Sequence, residues 1–276
     1  MDKSILQKVT QTIIDCHVHV NGYESLKNLP LKDRIDNLSA AMQVNNVDQA
    51  IIISSYIINE QRPSTSEVLA AVEKHDNIHV VAGFSISNHD ENNIVREYRD
   101  YLKDGKIKGL KIYPGYEHYY PYDPKYQKII DLCIEYDVPL MIHTGDTYTP
   151  KGKIRFAHPI NVDDVAVDNP ELKIIICHLG NPWFLDCQEI IYKNKNVYAD
   201  ISGLVLGEFT EFYEKYLVGK ITDFLNYAGE PEYILYGTDW PISSMKSYLN
   251  FVSKLDLDDQ ERELIMFKNS QRLFKL

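Results

Sequence analysis

Nowhere in the 276 residues does an apolar run approach the ~20 residues of a membrane-spanning helix, which argues against a membrane protein. Positive charge is scarce. Twenty-nine lysines and arginines face 40 aspartates and glutamates, a formal net charge of -11, which disfavours nucleic acid or an anionic membrane as partner. Cysteine is sparse as well: Cys16, Cys133, Cys177 and Cys187 show no Cys-x-x-Cys spacing, and two of them sit in apolar strand-like runs. Buried free thiols and a cytoplasmic setting are therefore expected. Residues 1–12 carry no secretory apolar core or cleavage site, in keeping with that setting. Only one glycine stands in Asn21-Gly22-Tyr23, where a dinucleotide-binding sheet would place a glycine-rich turn. Interdomain linkers, low-complexity stretches and sequence repeats are also lacking, so residues 1–276 read as one soluble metabolic domain.

Against these absences, the chain is 44% hydrophobic, enough for a sizeable core, and its apolar residues are regularly organised. Short β-branched runs at 13–20, 49–54, 79–85, 107–113, 139–143, 173–178, 196–201 and 233–238 have strand length. Amphipathic stretches separate them, notably 32–44, 67–75, 92–103, 124–136 and 208–227, and Ser64-x-x-Glu67 has the form of a capping box. Eight strands, each followed by a helix at a spacing near thirty residues, predict a single-domain (β/α)8 TIM barrel.

In such a barrel the chemistry lies at the C-terminal ends of the strands. Strand one ends in His17-Val18-His19. Side chains alternate along an extended chain, so both imidazoles share a face, with Asp15 deeper on that face and Ile14, Cys16, Val18 and Val20 opposite. Strand five ends in His143, strand six in His178 and strand eight in Asp239. A lone histidine after an apolar run usually only hydrogen-bonds, and a lone aspartate there usually caps a turn. Four histidines at the same end of different strands have no such local explanation, and imidazole with carboxylate suits a divalent transition metal. The other histidines, His75, His79, His89, His118 and His158, lack this placement.

Together, Asp15-Cys16-His17-Val18-His19, Gly109-Leu110-Lys111-Ile112-Tyr113-Pro114, Ile142-His143-Thr144, Cys177-His178-Leu179-Gly180 and Tyr236-Gly237-Thr238-Asp239-Trp240-Pro241 resemble the amidohydrolase superfamily. The likeness is to its amidohydrolase-related (amidohydrolase 2) branch, with metal-dependent aromatic-acid decarboxylases and pyrone-dicarboxylate lactonases. It runs from about residue 12 to a tail, Asn269-Ser270-Gln271-Arg272-Leu273-Phe274, of the branch's usual form. The resemblance implies one divalent metal held by His17, His19, His143 and Asp239, with His178 beside it as general acid/base. Zinc is the first expectation, with manganese, iron or cobalt suited to the same donors. Two-metal relatives use a carboxylated lysine at the end of strand four, where Lys111 stands. Tyr113 replaces the branch's common histidine.

These residues lead to the expectation of a metal-bound hydroxide that hydrolyses an amide, ester or lactone of a small carboxylic acid, with His178, and in part Asp239, handling the proton. The runner-up is nonoxidative decarboxylation of an unsaturated or aromatic acid, and a barrel that binds without turnover stands last. Candidate substrate contacts are Lys111, Tyr113 and the tyrosine-rich loop after it, Arg155 as a carboxylate clamp, and Trp240 with Trp183 as walls. A homodimer is the base-rate expectation for such an enzyme. Purified protein should carry one equivalent of transition metal by elemental analysis, and His17→Ala should lose it; protein that takes up none of the four ions would sink the metal reading.

Overall fold

In the computed structural model, which describes residues 12–87, 91–228 and 231–276, eight parallel strands pair in strict chain order. They are β1 (Ile14–Val18), β2 (Gln49–Ile53), β3 (Ile78–Gly83), β4 (Leu110–Ile112), β5 (Leu140–Ile142), β6 (Ile174–Ile176), β7 (Val197–Asp200) and β8 (Ile234–Leu235). Backbone bonds draw β8 back onto β1: Cys16 N donates to Tyr236 O at 3.0 Å, Asp239 N to His17 O at 2.8 Å and His19 N to Trp240 O at 2.7 Å. The sheet thereby becomes the expected barrel. Residues 1–11 and His89 lie outside the described residues.

A helix follows each strand: α1 (Leu31–Asn45), α2 (Thr65–Val72), α3 (Glu91–Lys103), α4 (Gln127–Tyr136), α5 (Asn161–Asp168), α6 (Phe184–Lys193), α7 (Glu211–Ala228) and α8 (Met245–Ser253). The Ser64–Glu67 capping box forms and starts α2. Several strands are shorter than their apolar runs. The last keeps only two residues, because the chain from Gly237 onward leaves the ladder to form the site, with Asp239 at φ 66°. None of the described helices is long and apolar enough to cross a membrane.

Strand alternation splits the core in two. Ile51, Ile53, Val81, Met141, Ile175 and Leu235 fill the barrel, closed at the base by Leu273 and Phe274 of the C-terminal helix α9 (Asn269–Phe274). Ala50, Ile52, Val80, Ala82, Leu140, Ile142, Ile174 and Ile176 face the helices. Such double-sided burial is why these strands read as continuous apolar runs.

β1 departs from the simple alternation expected of it. Its register against β2 shifts between Asp15 and Val18, a bulge. Ile14 and Cys16 consequently pack inside the barrel, whereas Val18 and Val20 pack outside with the helices. The four apolar residues do not share a face, and Asp15 is not the inward residue below His17. A bulge re-aims side chains at the rim of a barrel, and here it turns His17 and His19 inward.

Gly83 lets β2 and β3 approach closely, since a Cβ there would stand 2.3 Å from the Ser54 carbonyl oxygen. Gly83→Ala should destabilise the barrel by about 1–3 kcal/mol through overpacking, measured as a lower urea midpoint; an unchanged midpoint would show that the two strands can part.

Candidate metal centre and active site

The inward turn of β1 starts a row of four imidazoles across the barrel mouth. Ring centroids lie 5.3 Å apart for His19 and His17, 5.0 Å for His17 and His178, and 5.3 Å for His178 and His143. All four are buried. Each sits at the end of a different strand or, for the first two, astride the bulge. The His178 backbone takes the left-handed conformation, φ 63°, as the chain leaves β6.

Every one of the four rings has a fixed acceptor at Nδ1. His19 Nδ1 donates to the Ile53 carbonyl at 2.8 Å, and His143 Nδ1 to the Pro114 carbonyl at 2.9 Å. His178 Nδ1 meets the Ser202 carbonyl at 3.1 Å, and His17 Nδ1 donates to Asp200 Oδ2 at 2.9 Å. A neutral imidazole carries one proton. Holding it at Nδ1 leaves Nε2 unprotonated, the arrangement found behind metal-ligating histidines, and of the four rings His19, His143 and His178 line the cavity. Burial pushes His17 down to about 3, and also lowers His178 and, more strongly, His143, so these rings are neutral at pH 7.

Asp239 completes the group. Its Oδ1 lies 3.3 Å from His19 Nε2 and 3.8 Å from His17 Nε2. Burial opposes its ionisation, but the surrounding His19, His17 and His178 rings outweigh that and hold the carboxyl below the usual range. His17, His19 and Asp239 bring ligand atoms within 4.8 Å of one another. His143 is not in that group; it stands at the far end of the row, beyond His178. The donor set, neutral Nε2 atoms with one ionised carboxylate, fits a divalent transition metal.

Lys111 is the buried cation of the site, its Nζ donating to His17 Nε2 at 2.9 Å and lying 5.0 Å from the Tyr113 ring. Tyr113 turns its hydroxyl away, to the Ser54 carbonyl at 2.8 Å. Asp15 supports the turn that carries Asp239, accepting from Thr238 N and Oγ1 and from His17 N. Burial pushes its carboxyl up to about 7 against those bonds.

Asp200 escaped the sequence reading. Besides His17, it accepts from the His178 backbone N at 3.0 Å and from Ser202 Oγ at 2.5 Å, so one carboxylate at the end of β7 orients parts of two histidines. Strand-end placement would have flagged it. Gly203, next after Ser202, has φ 61°, and a Cβ there would stand 2.5 Å from His178 Nδ1. Only glycine lets the β7 loop pass so near the imidazole.

Two cavity lobes, of about 650 and 360 Å³, meet over His143, His178 and Asp239. The smaller holds Lys111, Tyr113 and Tyr116, together with Tyr23, Tyr56 and Tyr148 from other loops. Tyr119, Tyr120 and Tyr122 are not among the lining residues of either lobe; Tyr120 packs on Tyr122 and Phe156. Arg155 is exposed and lies over Phe156, Trp240 borders a separate surface groove, and Trp183 packs on His158. The structure brings none of these three to the cavity.

A family model for amidohydrolases, amidohydrolase 2, matches residues 14–276. The chain belongs to the amidohydrolase family. Among solved structures, this amidohydrolase is similar to the uncharacterised TIM-barrel protein Bb4693 of Bordetella bronchiseptica, at TM-score 0.74 and 18% identity over 96% of this chain and 98% of that one. A candidate 2-pyrone-4,6-dicarboxylic acid hydrolase of Pseudomonas putida follows at TM-score 0.68, 15% identity and 96% and 98% coverage. So does a dihydroxybenzoic acid decarboxylase of Polaromonas sp. JS666, with bound manganese and the inhibitor 2-nitroresorcinol, at TM-score 0.66, 15% identity and 96% and 97% coverage. These likenesses are to the fold. No curated protein matches the sequence.

Asp200→Asn presents an amide where the His17 Nδ1–H needs an acceptor. Retained metal should weaken about 10- to 100-fold in chelator competition; undiminished affinity would show that His17 needs no charged partner.

Proposed function

We propose that this amidohydrolase is a metal-dependent hydrolase of an amide, ester or lactone bond in a small carboxylic acid, with His17, His19, His143 and Asp239 holding one divalent ion. Zinc is the proposed ion, and manganese, bound in the Polaromonas decarboxylase, is the alternative. The observation that carries the reading is the row of Nε2 atoms, each with its tautomer selected by an Nδ1 partner, beside an ionised Asp239. A divalent ion bound there supplies Lewis acidity, lowering the pKa of water and polarising a carbonyl oxygen.

The chain's own residues divide the remaining work. His178 Nε2 faces the cavity, and the Ser202 carbonyl behind Nδ1 keeps that nitrogen free to accept a proton. Imidazole suits the task because protonation and release both lie within reach near neutrality. Asp239, held ionised, is the second acceptor at the same point. Lys111, buried beside His17, offers positive charge to a developing oxyanion. The tyrosine walls exclude water from the smaller lobe and present flat faces to a planar molecule. The site is proposed to act on a small molecule in the cytoplasm.

Nonoxidative decarboxylation is the second reading, favoured by the aromatic walls and by the fold shared with the Polaromonas enzyme. The same residues would then hold the ion that engages substrate oxygens, while His178 delivers the proton that replaces carbon dioxide. Screening lactones, amides and aromatic acids with product analysis separates the two, since only the lyase releases carbon dioxide. In either reaction His178→Asn should lower turnover about 10²- to 10⁴-fold while elemental analysis shows the metal retained; full activity would remove His178 from the proton's path.

A further inference from the structure

The smaller lobe holds more positive charge than the proposed chemistry uses. Three cations, Arg62, Lys111 and Lys151, line it against a single carboxylate, Asp239, which is already engaged by His19. In a chain of net charge -11 this excess is local and selected by the fold. Lys111 belongs to the His17 end. Arg62 does not: its side chain meets the Ser55 hydroxyl at 3.4 Å and the Tyr56 hydroxyl, not a histidine.

The loop between β2 and α2 is built to hold Arg62 there. Asn59 and Arg62 exchange backbone hydrogen bonds at 3.0 and 2.9 Å. From below, the buried Arg34 ties the neighbouring Gln61 carbonyl, at 3.0 Å, to the Val20 carbonyl, at 3.3 Å, and so to the end of β1. Pro63 and the Ser64 cap of α2 then end the loop. Other arginines have evident duties: Arg99 pairs with Glu135, and Arg34 and Arg262 bond backbone carbonyls. Among the described residues, Arg62 has hydroxyl partners and no carboxylate. A half-buried guanidinium with a planar fork of donors and no counter-ion is suited to a ligand carboxylate.

The surroundings specify the rest of that ligand. Tyr56 stacks on Tyr113 with centroids 4.5 Å apart, and Tyr116 lies 4.6 Å from the His143 ring. Tyr23 and Tyr148 stand 6.3 Å apart on the lobe's lining. The volume, about 360 Å³, is at the small end of the roughly 300–1,000 Å³ of small-molecule sites and suits one substituted ring. Asn21 adds an amide whose Nδ2 is 3.4 Å from the Tyr23 hydroxyl.

We propose that Arg62 is the residue that reads the substrate, binding a carboxylate of the proposed acid on the Ser55–Tyr56 side of the lobe. The assignment rests on the reading that the histidines and Asp239 hold a metal, which engages the other end of the molecule. It gives the carboxylate specificity to Arg62 in place of Arg155, which lies outside the cavity.

The test compares two chromophoric probes, 4-hydroxy-3-nitrobenzoate and 2-nitrophenol, which differ only in the carboxylate. Their Kd values are measured on purified protein whose metal content is determined on the same samples. Wild type should bind the acid about 10- to 100-fold tighter, the range of a charge-assisted pair. Arg62→Met should bring the two Kd values together, and Arg62→Lys should keep part of the difference. Equal binding by wild type, a preference that survives Arg62→Met, or one that vanishes in Arg155→Ala instead would each overturn the proposal. The metal reading fails separately: protein that takes up no metal, yet shows the Arg62-dependent preference, refutes the metal-dependent function and leaves Arg62 as the carboxylate site.

Discussion

Each imidazole at the mouth of this barrel has one proton and two nitrogens, and the site depends on which nitrogen carries it. A backbone carbonyl fixes the proton in His19, His143 and His178, and Asp200 fixes it in His17. Three of these acceptors belong to the barrel frame: the carbonyl of Ile53 ends β2, that of Pro114 follows β4, and that of Ser202 follows β7. Frame carbonyls cannot rotate as side chains do, so the tautomers are set when the barrel closes. That each Nε2 is left without a proton, the one in His17 accepting from Lys111, is then a property of the fold itself.

His17 is the exception, and much of the remaining architecture serves it. Its acceptor is a buried carboxylate that needs other donors to remain charged, and the His178 amide and Ser202 hydroxyl supply them. Burial raises the cost of ionising Asp200, yet these bonds and His17 hold it well below the ordinary carboxylate range. On its other nitrogen His17 meets Lys111. One imidazole thus sits between a buried anion and a buried cation, a polarised line across the barrel mouth. Such a network is stable only if every member is satisfied, because an unpaired charge at this depth is costly. The bulge in β1 is what inserts His17 into that line.

The amidohydrolase reading joins this centre to a cavity of unequal character. At the histidines the walls are polar and rigid. Toward the β2 loop they are aromatic and cationic, with Arg62 standing free of carboxylates among the described residues. A metal end and an anion-reading end in one small lobe describe an enzyme that orients an acidic planar molecule by both ends. Hydrolysis and decarboxylation of such a molecule would use the same orientation, and they differ in which bond the positioned groups act upon.

Much of this was legible before any coordinates. The eight apolar runs and their spacing carry the barrel, because each strand is buried on both faces and must be apolar throughout. The strand-end histidines and Asp239 carry the location of the centre for the same reason of topology. Strand alternation, however, could not reveal that β1 is bulged: whether a residue faces the barrel or the helices depends on its pairing with β2, a contact between segments some thirty-five residues apart. Nor could local sequence tell the tyrosines and arginines of the loops apart. Arg155 sits among cations after β5 and faces solvent; Arg62 sits in an unremarked loop after β2, and the strap from Arg34 and the end of β1 sets it beside the cavity. The sequence alone determined the barrel and the chemical type of its centre, since periodic burial and strand-end placement are local properties of the chain. Only tertiary structure decided which nitrogens are free, which carboxylate supports His17 and which arginine meets the cavity, because each depends on a partner brought from a distant strand.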